Sequence, residues 1–149
     1  MDRKRTIVVV AGTGTEVGKT HIAASLLRVW GERRPVLGYK PVETGVPRGS
    51  RVTGDAGELA KASTFHVKHP PYRQTFLDPI SPHLAARREG VAIDVGRLAR
   101  QARDLADEPG LGIVVELAGG LFTPLGAGQV NADLARRIRP TRLVVGRDR

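Results

Sequence analysis

The 149-residue chain contains no cysteine. That excludes disulfides, thiolate metal sites, iron–sulfur clusters and cysteine nucleophiles, and leaves the chemistry to oxygen and nitrogen groups. Aromatic side chains are scarce as well, at three phenylalanines, two tyrosines and one tryptophan. With so few rings to interleave among basic residues, the composition offers no stacking platform for bases and no positive support for a nucleic-acid partner. Long apolar runs are missing too. The first apolar stretch begins at Thr6, after the polar lead Met1-Asp2-Arg3-Lys4-Arg5, and gives way at once to Gly12-Thr13-Gly14. It is too brief for a signal peptide or membrane span, so a soluble cytoplasmic protein without a membrane partner is expected. Acidic residues are the minority charge, 15 against 24 lysines and arginines, for a formal net charge of +9. Such a balance suits a protein that meets phosphates, although arginines such as Arg33, Arg34, Arg136 and Arg137 read first as solvated helix faces. The length suits one domain, residues 1–149.

What is present is an alternation of strand and helix patterns. Thr6 to Ala11 is a nearly continuous β-branched run, as expected of a parallel strand covered on both faces. From Lys19 to Trp30, Ile22, Ala23, Leu26, Leu27 and Trp30 recur at spacings of three and four, which predicts a helix packing one stripe on a sheet. Val36 to Val42 predicts a second strand, with Pro41 ending regular pairing, and Glu43 to Gly54 reads as loop. Asp55 can cap a short helix through Leu59 and Ala62, and Phe65 to Asp78 reads as an irregular connector. Ser81-Pro82 predicts a helix start closed at Gly90, and Asp94 starts another helix that fades near Glu108-Pro109-Gly110. Leu111 to Glu116 predicts a third buried strand, Asn131 to Arg137 a short helix and Leu143 to Gly146 a fourth strand. The fold class that follows is α/β, a mostly parallel sheet flanked by helices in three layers.

Gly12-Thr13-Gly14-Thr15-Glu16-Val17-Gly18-Lys19-Thr20 joins the first strand to the first helix, the context a phosphate-binding P-loop requires. Backbone N–H groups of such a turn and of the helix start converge on one concavity, where they and the helix dipole favour a polyphosphate. Lys19 would add positive charge for the β- and γ-phosphates, and the Thr20 hydroxyl is placed for Mg²⁺. In the common G-x-x-x-x-G-K-[ST] pattern the first glycine would fall at position 13, whereas here it is Gly12, which marks a variant loop. Mg²⁺ also takes carboxylates. Glu116, at the end of an apolar strand, is one candidate, because strand carboxyl ends border the ligand crevice of open α/β sheets. Asp55 is another, with helix capping as its equally weighted alternative.

Four segments carry a more specific likeness: Gly12 to Thr20, then Gly38-Tyr39-Lys40-Pro41-Val42, then Ser81-Pro82-His83, then Glu116-Leu117-Ala118-Gly119-Gly120-Leu121-Phe122-Thr123-Pro124-Leu125. In order and spacing they resemble the dethiobiotin synthetases, a P-loop NTPase-like family. The resemblance implies an ATP- and Mg²⁺-dependent ligase of biotin biosynthesis. Such an enzyme closes the ureido ring of dethiobiotin from 7,8-diaminononanoate and CO2 through a phosphorylated carbamate, and works as a homodimer. Carried across position by position, the nucleotide would be held by Gly14, Thr15, Glu16, Val17, Gly18, Lys19, Thr20 and His21, with Asp55, Glu116, Leu117, Ala118 and Gly119. Thr20, Asp55 and Glu116 would hold Mg²⁺. Lys40 and Lys19 would be catalytic, and Thr13, Lys40 and Thr44 would meet the substrate. Glycine at 119 would let the backbone approach bound ligands closely.

Two departures accompany the likeness. Leu117 stands where the family has glycine, and is expected to add bulk beside the nucleotide or substrate. The likeness also breaks off at Leu143-Val144-Val145-Gly146, similar to a central family strand, short of the segments that contact adenine. Related P-loop amidoligases share the variant loop but not the Lys40 and Phe122-Thr123-Pro124 segments. ParA- and MinD-like ATPases carry a further lysine early in the loop, where Thr13 and Gly14 stand here. A truncated, inactive relative is the remaining alternative. His66 and His69 have ligand-like spacing but read as solvent-facing, and His83 reads as a polar contact in a helix's first turn.

Overall fold

The computed structural model describes residues 5–14, 18–49 and 54–146. Its central sheet has the order β2-β5-β1-β8, built from β1 (Thr6–Gly12), β2 (Val36–Tyr39), β5 (Gly112–Gly120) and β8 (Arg142–Gly146). Every pairing is parallel. The β-branched runs form these strands because both of their faces are buried: Ile7, Val9, Val10, Ile113, Val114 and Val115 are all fully inaccessible. Helices cover the two faces, giving the α/β/α layering of a P-loop NTPase-like fold. α1 (Lys19–Gly31) and α2 (Gly54–Ala62) pack on one face through Ala23, Leu27 and Leu59 against Val10 and Val114. α3 (Pro82–Arg88), α4 (Val95–Leu105) and α5 (Asn131–Ile138) cover the other, with Ala85, Leu98 and Ile138 against Ile7, Val9 and Ile113.

Several boundaries differ from the sequence reading. The strand expected over Val36–Val42 stops at Tyr39, and β3 (Val42–Thr44) leaves the main sheet to pair in parallel with β4 (Gln74–Phe76). Pro41 lacks the N–H a ladder needs, so the chain turns there, and the connector over Phe65–Asp78 contains a strand after all. β5 runs past Glu116 to Gly120, and a small hairpin of β6 (Pro124–Gly126) and β7 (Gln129–Val130) follows it. Asp94 caps α4 as expected, its Oδ1 accepting from Arg97 N at 2.9 Å. Ser81 occupies the N-cap position of α3 without a capping bond, because its hydroxyl is engaged with His83 Nδ1 at 2.9 Å. Among the described residues, no helix is long and apolar enough to cross a membrane.

Candidate functional site

Parallel strands deliver their carboxyl ends to one rim of the sheet, and the register decides which side chains meet there. Tyr39 is paired with Val115 across β2 and β5, so the next residues, Lys40 and Glu116, come side by side. Val10 is paired with Glu116 across β1 and β5, so β1 turns into the glycine loop just beyond the same acid. On β5 the side chains alternate: Val114 and Glu116 face α1 and α2, whereas Ile113, Val115 and Leu117 face the opposite core.

Four groups converge on that rim. Lys40 Nζ donates to Glu116 Oε1 at 2.9 Å and to Asp55 Oδ2 at 3.0 Å. Thr20, in the first turn of α1, donates its hydroxyl to the same Glu116 Oε1 at 2.8 Å. The Lys40 and Glu116 side chains are 3 % and 1 % exposed, but Asp55 is 47 % exposed and opens the cluster to solvent. Lys19 is buried as well, and its Nζ donates to Gly14 O at 2.7 Å, folding the ammonium back across its own loop. Gly18, at φ 83°, precedes α1, whose amino terminus has no side-chain cap. First-turn N–H groups at such a helix start favour an anion.

The electrostatics follow from these neighbours. Burial pushes the Lys19 ammonium below its ordinary value, the Lys40 ammonium pushes it further, and Glu116 and Asp55 partly offset both. Burial alone would raise the Asp55 carboxyl, but Lys40, Thr20 and Lys19 outweigh it and hold the group below the usual carboxylate range. Two lysines close enough to repel each other across a pair of acids is an arrangement suited to a ligand richer in negative charge than those acids alone.

These side chains line a cleft of about 550 Å³ formed by Gly18, Lys19, Thr20, Lys40, Glu43, Thr44, Asp55, Glu116, Ala118 and Gly119. The site residues expected from the sequence divide accordingly. Gly18, Lys19, Thr20, Lys40, Thr44, Asp55, Glu116, Ala118 and Gly119 come together. Thr13 and Gly14 line an adjoining hollow with Gly12 and Gly120 to Thr123. His21 is exposed on α1 and takes no part in the cleft wall. Thr15, Glu16 and Val17 lie outside the described residues. Leu117 corrects an expectation: its side chain is fully buried in the core opposite the cleft, so it adds no bulk beside a ligand there, and only its backbone remains available to one. The alternation of the strand sends position 117 to the other face from Glu116.

Asp55 also departs from the capping alternative. Its carboxylate goes to Lys40, while its own N–H is capped by Glu43 Oε1 at 2.7 Å. Glu43, 5 % exposed, is the cleft residue the sequence reading passed over. It stands in a stretch rich in glycine and proline, and what buries it comes from α2 and Arg73, both distant in the chain. His66 and His69 are exposed, as expected.

Beyond Glu116, the cleft wall is held by a short network. Gly119 has φ 78°, in the region that favours glycine, and a Cβ there would collide with Thr123 Oγ1. That hydroxyl accepts from Gly120 N at 2.8 Å, and the buried Asn131 Nδ2 donates to Ala118 O at 2.6 Å and Gly120 O at 2.9 Å. α5 therefore clamps the backbone that borders the cleft.

Among the described residues, no three histidine, cysteine or acidic side chains gather as a metal-holding group. The available set is two carboxylates and a hydroxyl, all hard oxygen donors, which suits Mg²⁺ when phosphate oxygens and water complete the shell. Glu116 Oε2 is buried without a hydrogen-bond partner, and an orphaned carboxylate oxygen is a place a cation would satisfy.

Comparison with known proteins adds the context. A family model described as "AAA domain" matches residues 5–149. The ATP-dependent dethiobiotin synthetase of Aromatoleum aromaticum is 39 % identical over 144 residues, which cover 92 % of this chain and 63 % of that protein. The corresponding protein of Salmonella typhi is 38 % identical over 144 residues, covering 92 % of this chain and 62 % of its own. The one from Corynebacterium diphtheriae is 36 % identical over 141 residues, covering 93 % and 60 %. The chain thus spans about three fifths of the length of these relatives.

Proposed function

We propose that this chain, which belongs to the AAA domain family, supplies the phosphate- and metal-binding part of an ATP-dependent dethiobiotin synthetase. One observation carries the reading: Lys19, Thr20, Lys40, Asp55 and Glu116, which come from four separate segments, line one cleft at the carboxyl ends of β1, β2 and β5. The relatives named above are dethiobiotin synthetases by name. The reading assigns residues 1–149 to one nucleotide-binding domain of a cytoplasmic homodimer.

In this reading the segment from Gly14 to Thr20 would meet the nucleotide phosphates, with Ala118, Gly119 and the Leu117 backbone also beside them. The Lys19 ammonium leaves its carbonyl partner Gly14 to meet the β- and γ-phosphates. Thr20, Asp55 and Glu116 would hold Mg²⁺, which supplies charge neutralisation at the phosphates when bound. Thr13, Lys40 and Thr44 would orient a carbamate of 7,8-diaminononanoate formed from CO2. A carbamate oxygen then takes the γ-phosphoryl group of ATP as ADP departs, and the neighbouring amine attacks the carbonyl carbon, its proton leaving with the departing phosphate as the ureido ring closes. Lys40 acts through charge: a buried ammonium already fixed between two carboxylates needs little reorganisation to stabilise anionic oxygens at the same rim.

The test is phosphate release with and without diaminononanoate and bicarbonate. The reading expects release that requires both, and a loss of about 10²- to 10³-fold in Lys40→Ala, the scale of removing one preorganised electrostatic donor. Hydrolysis indifferent to both substrates would overturn it, and stimulation by DNA or membranes would point to a ParA- or MinD-like ATPase instead.

A further inference from the structure

We infer that Glu43 is a positioning residue that sets Asp55 as a metal ligand by taking over the helix-capping role Asp55 would otherwise fill. The inference rests on the metal reading of the cleft.

A helix amino terminus leaves its first N–H groups without partners, and an aspartate in the first turn commonly turns its carboxylate back to satisfy one of them. In α2 the N–H of Asp55 is satisfied from outside the helix. Glu43, on β3, reaches across and accepts from Asp55 N at 2.7 Å through Oε1. Its other oxygen lies 3.2 Å from Arg73 Nη2, an ion pair rather than an aligned hydrogen bond. Arg73 immediately precedes β4, the partner strand of β3, so the small β3-β4 sheet carries both ends of the pair. The residue before Asp55 is shaped to the same contact. Gly54 has φ 65°, and a Cβ built on it would collide with Glu43 Oε1, so a side chain at 54 would push the acceptor away.

With its own N–H capped by another residue, Asp55 has its carboxylate free to face the cleft, where Oδ2 accepts from Lys40. Glu43 also lines the cleft wall, but its Oε1 is taken by the Asp55 N–H and its Oε2 lies against Arg73 rather than Lys40. It acts through Asp55 rather than as a ligand itself. Outer groups that orient a ligand commonly change metal affinity by 10–100-fold when removed.

The decisive experiment is a double-mutant cycle on Mn²⁺ affinity, measured by electron paramagnetic resonance with nucleotide present, in Glu43→Ala, Asp55→Asn and the pair. Mn²⁺ serves as the spectroscopic probe for the Mg²⁺ site. Glu43→Ala should lose about tenfold in affinity, and should lose nothing further in the Asp55→Asn background, because its effect runs through the side chain already altered. Glu43→Gln keeps the acceptor oxygen and should recover most of the loss. Glu43→Asp keeps the charge but falls one methylene short, and should behave as the alanine variant. If Glu43→Ala fails to fold by circular dichroism, the Gln and Asp variants make the same comparison. Additive losses in the double variant, or a glutamine variant as weak as the alanine one, would overturn the inference and leave the metal reading standing. An Asp55→Asn variant with unchanged Mn²⁺ affinity would overturn both.

Discussion

The two faces of the sheet divide the work of the molecule. The face under α3, α4 and α5 is closed by hydrophobic side chains, from Ile7 and Ile113 to Leu117 and Leu134. The face under α1 and α2 is aliphatic only as far as Val10 and Val114, and then becomes a charged cleft. β5 serves both in alternate residues. Glu116 and Leu117 are neighbours in sequence, each 1 % exposed or less, yet one side chain is held by a lysine and a threonine and the other by hydrocarbon. A strand buried on both sides can stabilise the fold with one face while the other presents groups that would be too costly to bury unpaired.

Separating the faces by mutation tests that division. The largest loss is expected from Glu116→Ala, which leaves the buried Lys40 ammonium with only the half-exposed Asp55: about 3–5 kcal/mol of unfolding free energy by chemical denaturation, as for breaking a buried ion pair. Leu117→Ala should cost about 3 kcal/mol through the cavity it opens, while the folded fraction keeps its affinity for nucleotide. A loss of affinity there would break the separation. On the packed side, Asp94→Ala removes the cap of α4 and should cost about 1 kcal/mol, again without touching the cleft.

The smallest effect is one of pH. The folded-state carboxyl of Asp55 lies below its ordinary value of 3.8, so its contribution to stability is present above that value and fades as pH falls through the lower folded-state value. The stability difference between the wild type and Asp55→Asn should therefore be constant above about pH 5 and shrink on acidification. A difference that instead grew toward low pH would show that Asp55 is not held by the lysines.

Where strands were covered on both faces, the pattern of residues was enough. Thr6 to Ala11 and Leu111 to Val115 are mostly apolar because helices lie on either side, and the glycine loop after Gly12 marked the rim where the cleft opens. Glu116 was visible because an acid at the end of such a run demands a partner. Pro41 marked where the pairing of β2 ends, but the pairing of β3 with β4 and the hairpin over Pro124–Val130 were less visible, because strands of two or three residues have too few positions to show a period. Leu117 was misjudged for a related reason. Its family position suggested the cleft, but parity along β5 assigns it to the opposite face. Glu43 had no local mark at all, since its burial is created by α2 and by Arg73.

The single tryptophan of the chain stands at the far end of this sheet. Trp30 lies against the backbone of Gly112, where its ring atoms are 2.9–3.1 Å from the position a Cβ would take, and Arg34 sits 5.4 Å from its ring centroid. Gly112 opens β5 and is paired with Thr6 and Val36 at the amino ends of the strands. The indole is therefore a built-in optical reporter of whether the base of the sheet has assembled, remote from the rim where ligands would gather. Its emission can follow unfolding of any cleft variant while binding is read by an independent signal.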